Sequence, residues 1–297
     1  MKKKSLFRAI SVGVAAALSA GALMMFAGCS SNNPEIRITY SFNGKDYEVD
    51  YRLSRSDAPN TVQHFIELAD AGFYDGLIVH DYQNSSMYSG GYRLVDGELE
   101  EVNYLETVRA LEAEQDITFT QSVWADAACT EGLYSVYGEF TSNGVEQQYG
   151  KELSATQGAL VMYYTDKGNF NGDVYVKRAD GGADNDGQEV QSVGYEYNST
   201  TSLFYTFTGK NDINASNYCV FGMAINYEEQ MENGVLAAIT EYEKTLSDDA
   251  TFTETQSNVR LNQYDYFEEV SKGDLTADFE TPMTMPIIIK SVVVTKY

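Results

Sequence analysis

The sequence predicts a mainly β fold, a closed antiparallel barrel carrying few helices. Three observations predict it. Short segments of alternating or continuous apolar character recur along the chain. Only two or three stretches show helical spacing, and no strand–helix–strand rhythm is present. The composition agrees: 43 % of the 297 residues are apolar, and there are 23 Tyr but only 4 Pro, which suits strands better than disorder.

Ile36 to Tyr40 alternates, Asn43-Gly44 carries a hairpin-turn signal, and Tyr47 to Leu53 alternates again, so 36–53 reads as a hairpin. Asp57-Ala58-Pro59-Asn60 opens a helix in which Val62, Phe65, Ile66, Leu68 and Ala69 recur at helical spacing, and Gly72 ends it. Leu77 to His80 is a short apolar strand. A further helix is expected over 100–115, followed by a less regular stretch that holds Trp124. Residues 165–197 are polar and rich in Gly and Asp. Asp184-Asn185-Asp186-Gly187 invites a calcium-loop reading, but the spacing puts Gly182 and Val193 at the first and last ligand positions, so a turn is expected. Leu203 to Phe207 and Tyr218 to Gly222 read as core strands. Glu228 to Leu246 reads as a helix with Met231, Val235, Leu236, Ile239 and Tyr242 on one face. Residues 247–281 are polar without a clear period, and Pro286 to Val294 closes the chain as a strand.

The N-terminus has a basic start (Lys2, Lys3, Lys4, Arg8), an uncharged apolar or small-residue stretch over 9–27, then Ala27-Gly28-Cys29 and the polar Ser30-Ser31-Asn32-Asn33. That order is a secretory signal. Cys29 after two small residues resembles a lipobox, which implies cleavage after 28, acylation of Cys29 and a tether over 29–35. An uncleaved single-span anchor is the alternative. Both place the folded part outside the cytoplasm, with stable lipid anchoring requiring two or more chains. Removing 1–28 takes away four of the 20 basic residues and no acidic ones, leaving 16 against 44, a charge of −28. Repulsion from phosphates excludes a nucleic-acid partner and disfavours basic-patch lipid binding. Beyond Cys29 only Cys129 and Cys219 remain; they allow one pairing but also two inert thiols. His64 and His80 are the only histidines, too few for a multi-His metal site with these cysteines.

Three segments together resemble the cyclophilin-type peptidyl-prolyl isomerases. The first is Ala58-Pro59-Asn60-Thr61-Val62 to Phe65, followed by Gly72-Phe73-Tyr74-Asp75-Gly76 to Val79-His80. The second is Gly138-Glu139-Phe140 with Asn143-Gly144, followed by Gly158-Ala159-Leu160-Val161-Met162. The third is Asn198 and Ser202 to Tyr205, followed by Val220-Phe221-Gly222. The resemblance implies an eight-stranded antiparallel barrel capped by helices near 59–71 and 228–246, with insertions at about 95–134 and 165–197. It also implies a groove for X-Pro segments of exported proteins, and the membrane as partner through the lipid on Cys29.

Peptide rotation faces a barrier of roughly 18–20 kcal/mol, so an isomerase of this type needs no metal, nucleophile or cofactor. It needs an apolar grip on the proline and a cation or donor stabilising the twisted amide. The family's arginine follows the histidine; here His80 is followed by Asp81, which at neutral pH only accepts hydrogen bonds. By resemblance the groove positions are His80, Asp81, Met87, Ser89, Phe204 and Tyr205, and the peptide-binding positions are Ser86, Tyr163, Tyr164, Leu203, Ile213 and Tyr218. Several carry substitutions: Ser86 for phenylalanine, Ser89 and Leu203 for glutamine, and Tyr163 and Tyr164 for the alanine and the position after it. Met87 is kept, and Arg93 is the candidate to replace the lost cation if its strand turns it toward the groove. Weak isomerase activity is expected; alternatives are a barrel that only binds peptide or protein, and a surface protein whose insertions carry another role.

Overall fold

The structure, a computed structural model, describes residues 33–83, 85–145, 153–163, 173–177, 187, 189–194, 199–211, 213, 218–260 and 276–297. Cys29, Tyr164 and the turn at 184–186 lie outside them. In chain order the elements are β1 (Glu35–Phe42), β2 (Lys45–Leu53), α1 (Pro59–Asp70), β3 (Asp81–Gln83), β4 (Ser86–Ser89), β5 (Tyr92–Val95), β6 (Glu98–Glu101), α2 (Tyr104–Gln115), β7 (Val123–Trp124) and β8 (Val136–Tyr137). There follow β9 (Ala159–Met162), β10 (Asp173–Lys177), β11 (Val190–Gly194), β12 (Ser199–Thr200), β13 (Phe204–Phe207), β14 (Cys219–Ala224), a π-type helical segment Tyr227–Leu236 leading into α3 (Ala237–Glu243), β15 (Glu254–Arg260), β16 (Thr276–Thr281) and β17 (Ile288–Lys296).

Eight strands make one antiparallel sheet in the order β17-β1-β2-β14-β9-β13-β4-β3. The chain ahead of β3 then meets β17. Gly76 N donates to Ile289 O (2.8 Å), Val79 N to Ile287 O (2.9 Å) and Ile289 N to Leu77 O (2.7 Å), which curls the sheet onto its own far edge. The β1–β2 turn forms where Asn43-Gly44 predicts it: both residues have positive φ, 49° and 75°, the geometry of a two-residue hairpin loop. The alternation places Ile36, Ile38, Tyr40 and Phe42 inside with Val49, Tyr51 and Leu53. Deep in that interior Thr206 Oγ1 meets the hydroxyls of Tyr40 (3.1 Å) and Tyr51 (2.9 Å), satisfying three buried polar groups together.

Helix α1 packs its apolar face into the core of the curled sheet. Pro59 suits its first turn, and Gly72 at φ 75° lets the chain leave it. Phe65 is fully buried and stacks on Tyr74 (4.8 Å between ring centres), with Phe204 at 5.2 Å and Phe221 at 5.0 Å. Ala58 at the N-cap has no side-chain oxygen to offer. Glu139 supplies one from far along the chain, accepting from Asn60 N (3.1 Å), Asn60 Nδ2 (3.0 Å), Thr61 N (2.8 Å) and Thr61 Oγ1 (2.8 Å). A carboxylate at a helix N-terminus is favoured by the open N–H groups and the dipole. Burial, the largest influence, pushes the Glu139 pKa up, and the four hydrogen bonds oppose it. Glu139→Ala strands those donors and is expected to cost about 1–3 kcal/mol of stability, read from urea unfolding, with Glu139→Gln falling between it and the parent.

Strands from the two expected insertions meet in one small sheet. β7 from the first pairs with β10 from the second (Trp124 opposite Tyr175), and β11 completes a three-stranded sheet. Val123, Leu133, Val174 and Val176 give it its own small core. The expected helix over 100–115 begins at Tyr104, because 98–101 pairs with β5 instead. Asn103 caps it through Glu106 N (3.1 Å). Cys129 and Cys219 are not joined in a disulfide, and Cys219 is buried in the main core.

Candidate functional site

The side-chain period of two sorts the predicted groove residues onto different faces of the wall formed by β4, β13, β9 and β14. Phe204 lies opposite Ser89 on one side and Met162 on the other, and Met162 lies opposite Cys219. Met87, Phe204, Met162 and Cys219 belong to the main core, so Met87 and Ser89, expected in the groove, are instead turned away from solvent. The other face carries Tyr88 opposite Tyr205, Tyr205 opposite Val161, and Val161 opposite Val220. Ile213 and Tyr218 pack onto this outer row. Tyr88 stands 4.8 Å from the Tyr205 ring and 5.8 Å from that of Tyr163, and Tyr218 meets Tyr205 edge-on at 6.3 Å. Tyr205 is left only 3 % exposed, so tyrosine rings fill the outer row. Ser86, beside it on β4, is also buried. Gly90 holds this wall close: at φ 102° its backbone runs so near Ser202 that an added Cβ would lie 2.2 Å from the Ser202 carbonyl oxygen.

Asp81 borders this wall on β3, paired with Tyr88. It is 6 % exposed, and its carboxylate accepts from Gln83 Nε2 (2.7 Å) and from the Glu280 backbone N–H (2.9 Å). Burial is the main cause of its raised pKa; the two hydrogen bonds pull the other way and the Glu280 charge adds to the rise. Where the resemblance expects a cationic fork, the protein therefore presents a buried acceptor. Arg93 is exposed on β5 and does not line the cavity beside Asp81. His80 sits between Tyr92 (4.5 Å) and Phe279 (4.8 Å), and burial pushes its pKa down to about 3, so it is neutral at physiological pH.

The border of this wall is also covered. Within the polar stretch that lacks a sequence period, β15 and β16 pair antiparallel as the two arms of a hairpin, with β16 beside β3. Phe279, 5 % exposed, is buried with Tyr92 and Leu203, and Tyr163 packs against them. Thr281 Oγ1 donates to the His80 carbonyl (2.5 Å), the Tyr92 hydroxyl donates to the Arg260 carbonyl, and Arg260 pairs with Glu101 at 2.7 Å. Leu203 thus meets the hairpin as an apolar neighbour. A cavity of about 170 Å³ remains between hairpin and wall, lined by His80, Asp81, Gln83, Tyr88, Tyr163, Leu203, Phe204, Ala277, Asp278 and Phe279. The sequence reading missed Tyr88, Asp278 and Phe279. Alternation from Met87 gives Tyr88 its outward direction; Phe279 is one of several aromatics in a polar run, and no local pattern marks it.

Residues 37–175 match the family model described as cyclophilin type peptidyl-prolyl cis-trans isomerase/CLD. Over that segment the chain is similar to the cyclophilin-type family. The match ends before Leu203 to Tyr205 and Val220 to Gly222, which enter the same eight-stranded sheet as β13 and β14. Solved structures similar to it include a cyclophilin type peptidyl-prolyl cis-trans isomerase of Cryptosporidium parvum (14 % identity, 89 % of this chain and 99 % of that chain covered, TM-score 0.42). The same Cryptosporidium protein in the presence of the dipeptide ala-pro gives identical figures: 14 %, 89 %, 99 % and 0.42. No curated protein sequence matches the chain.

Proposed function

We propose that this cyclophilin-type protein is exported, held at a membrane by lipid on Cys29, and acts on proline-containing segments of exported proteins as an isomerase of low turnover. The carrying observation is Asp81: at the arginine position a buried carboxylate is tied to Gln83 and to the backbone of Glu280. It offers negative charge where a twisting amide needs a donor. The aromatic row of Tyr88, Tyr163, Tyr205 and Tyr218 supplies apolar surface with polar tips, suited to an extended peptide. A reading as a binding module without turnover is favoured by one observation, the hairpin packed at the border of the wall.

Titration of the full chain in detergent with an Ala-Pro-containing peptide tests the groove. Binding is expected, and Tyr88→Ala is expected to weaken it about tenfold, the scale of losing one aromatic contact. Equal affinity in both proteins would place the peptide elsewhere.

A further inference from the structure

The space under the hairpin has a chemistry that gripping a proline does not require. Asp81 enters it from β3 and Asp278 from β16, and the rings of Tyr88, Tyr163 and Phe279 line it too. No basic side chain of the described residues is among its walls. The donors given to the two carboxylates are uncharged: Gln83 Nε2 and Glu280 N for Asp81, and Asn258 N (2.9 Å) for Asp278. His80, another wall residue, is 3 % exposed and its Nδ1 has no partner among the described residues. Asp81, a buried acceptor with no counter-charge among the described wall residues, favours a ligand that brings one, and Asp278 stands exposed beside it. Aromatic faces attract cations as well. At about 170 Å³ the space is well above the ~10–15 Å³ that one water needs. A metal ion fits less well, since the described residues hold no group of three or more His, Cys, Asp or Glu able to ligate one.

We infer that this cavity takes the ammonium or guanidinium head of a basic side chain carried by a peptide in the groove. The inference rests on the groove reading for its peptide but on the cavity for its charge preference. It gives the replaced arginine position a role: the positive partner now arrives on the ligand, and Asp81 and Asp278 receive it.

The test titrates the full chain in detergent with peptides that differ only beside the proline, carrying lysine, arginine or uncharged norleucine, and with butylammonium alone. The lysine and arginine peptides are expected to bind about tenfold tighter than the norleucine peptide. That preference should fall below about twofold in Asp81→Asn/Asp278→Asn, a near-isosteric pair of changes. Butylammonium binding that the double variant abolishes would show the cavity accepting a free amine too. Equal affinity for lysine and norleucine peptides overturns the inference while leaving the groove reading intact. Butylammonium binding without any peptide binding sinks the groove reading and keeps the cavity. Binding of none of the probes sinks both.

Discussion

Acidification from pH 7 to pH 4 is expected to remove roughly 3 kcal/mol of folding stability through His80 alone. The ring is buried between Tyr92 and Phe279, and its folded pKa is pushed down to about 3. In the unfolded chain a histidine titrates near ~6.5. Between those values the unfolded state binds a proton that the folded state refuses. Stability from this group is therefore complete above ~6.5 and falls by about 1.4 kcal/mol per pH unit as pH drops towards the folded pKa. His64, also lowered by burial, acts in the same direction. Asp81 and Glu139, raised by burial, act in the opposite one. The comparison that isolates His80 is the pH slope of urea-derived stability against that of His80→Gln. The variant should be less stable at pH 7 but flatter between pH 6 and pH 4. Parallel slopes would mean that the ring becomes protonated in place.

Phe279→Ala is expected to weaken the seating of the hairpin on the barrel by about 3–5 kcal/mol, the usual cost of emptying a buried aromatic site. What remains to hold it is mainly polar: Glu280 N to Asp81, Thr281 Oγ1 to the His80 carbonyl, and the partly exposed Arg260–Glu101 pair. Surface pairs of that kind contribute little. The barrel has its own core around Phe65, Tyr74, Phe204 and Phe221, so the loss should stay local. Amide hydrogen exchange at 276–281 should accelerate about a hundredfold or more, while the amides of β1 and β2 keep their protection. Loss of protection in both regions together would make the hairpin part of the cooperative core.

Particular residues show why the barrel was readable and the site only in part. Asn43-Gly44 between two alternating runs specifies a hairpin by local chemistry alone. Pro59, the apolar spacing from Val62 to Ala69, and Gly72 do the same for α1. The groove depends on which way each strand residue points, and resemblance carries positions without directions. Met87 and Ser89 were assigned to the groove with their neighbours, yet only Tyr88 of Met87-Tyr88-Ser89 lies on the outer row. The joint sheet of β7, β10 and β11 and the hairpin over His80 rest on pairings between distant segments. Their stretches are short or polar, so neither carries a period of its own. Glu139 was legible as part of a motif, while its work as the remote cap of α1 needed the fold.

The most direct measurement is kcat/KM for isomerisation of an Ala-Pro peptide by the full chain, beside a cyclophilin that has arginine at the position of Asp81. A carboxylate in place of the donor predicts a value about 10²–10³-fold lower, the loss seen when one such transition-state donor is removed. A value within about tenfold of the arginine-bearing enzyme would contradict the account, because catalysis would then be running without the group on which it is held to depend.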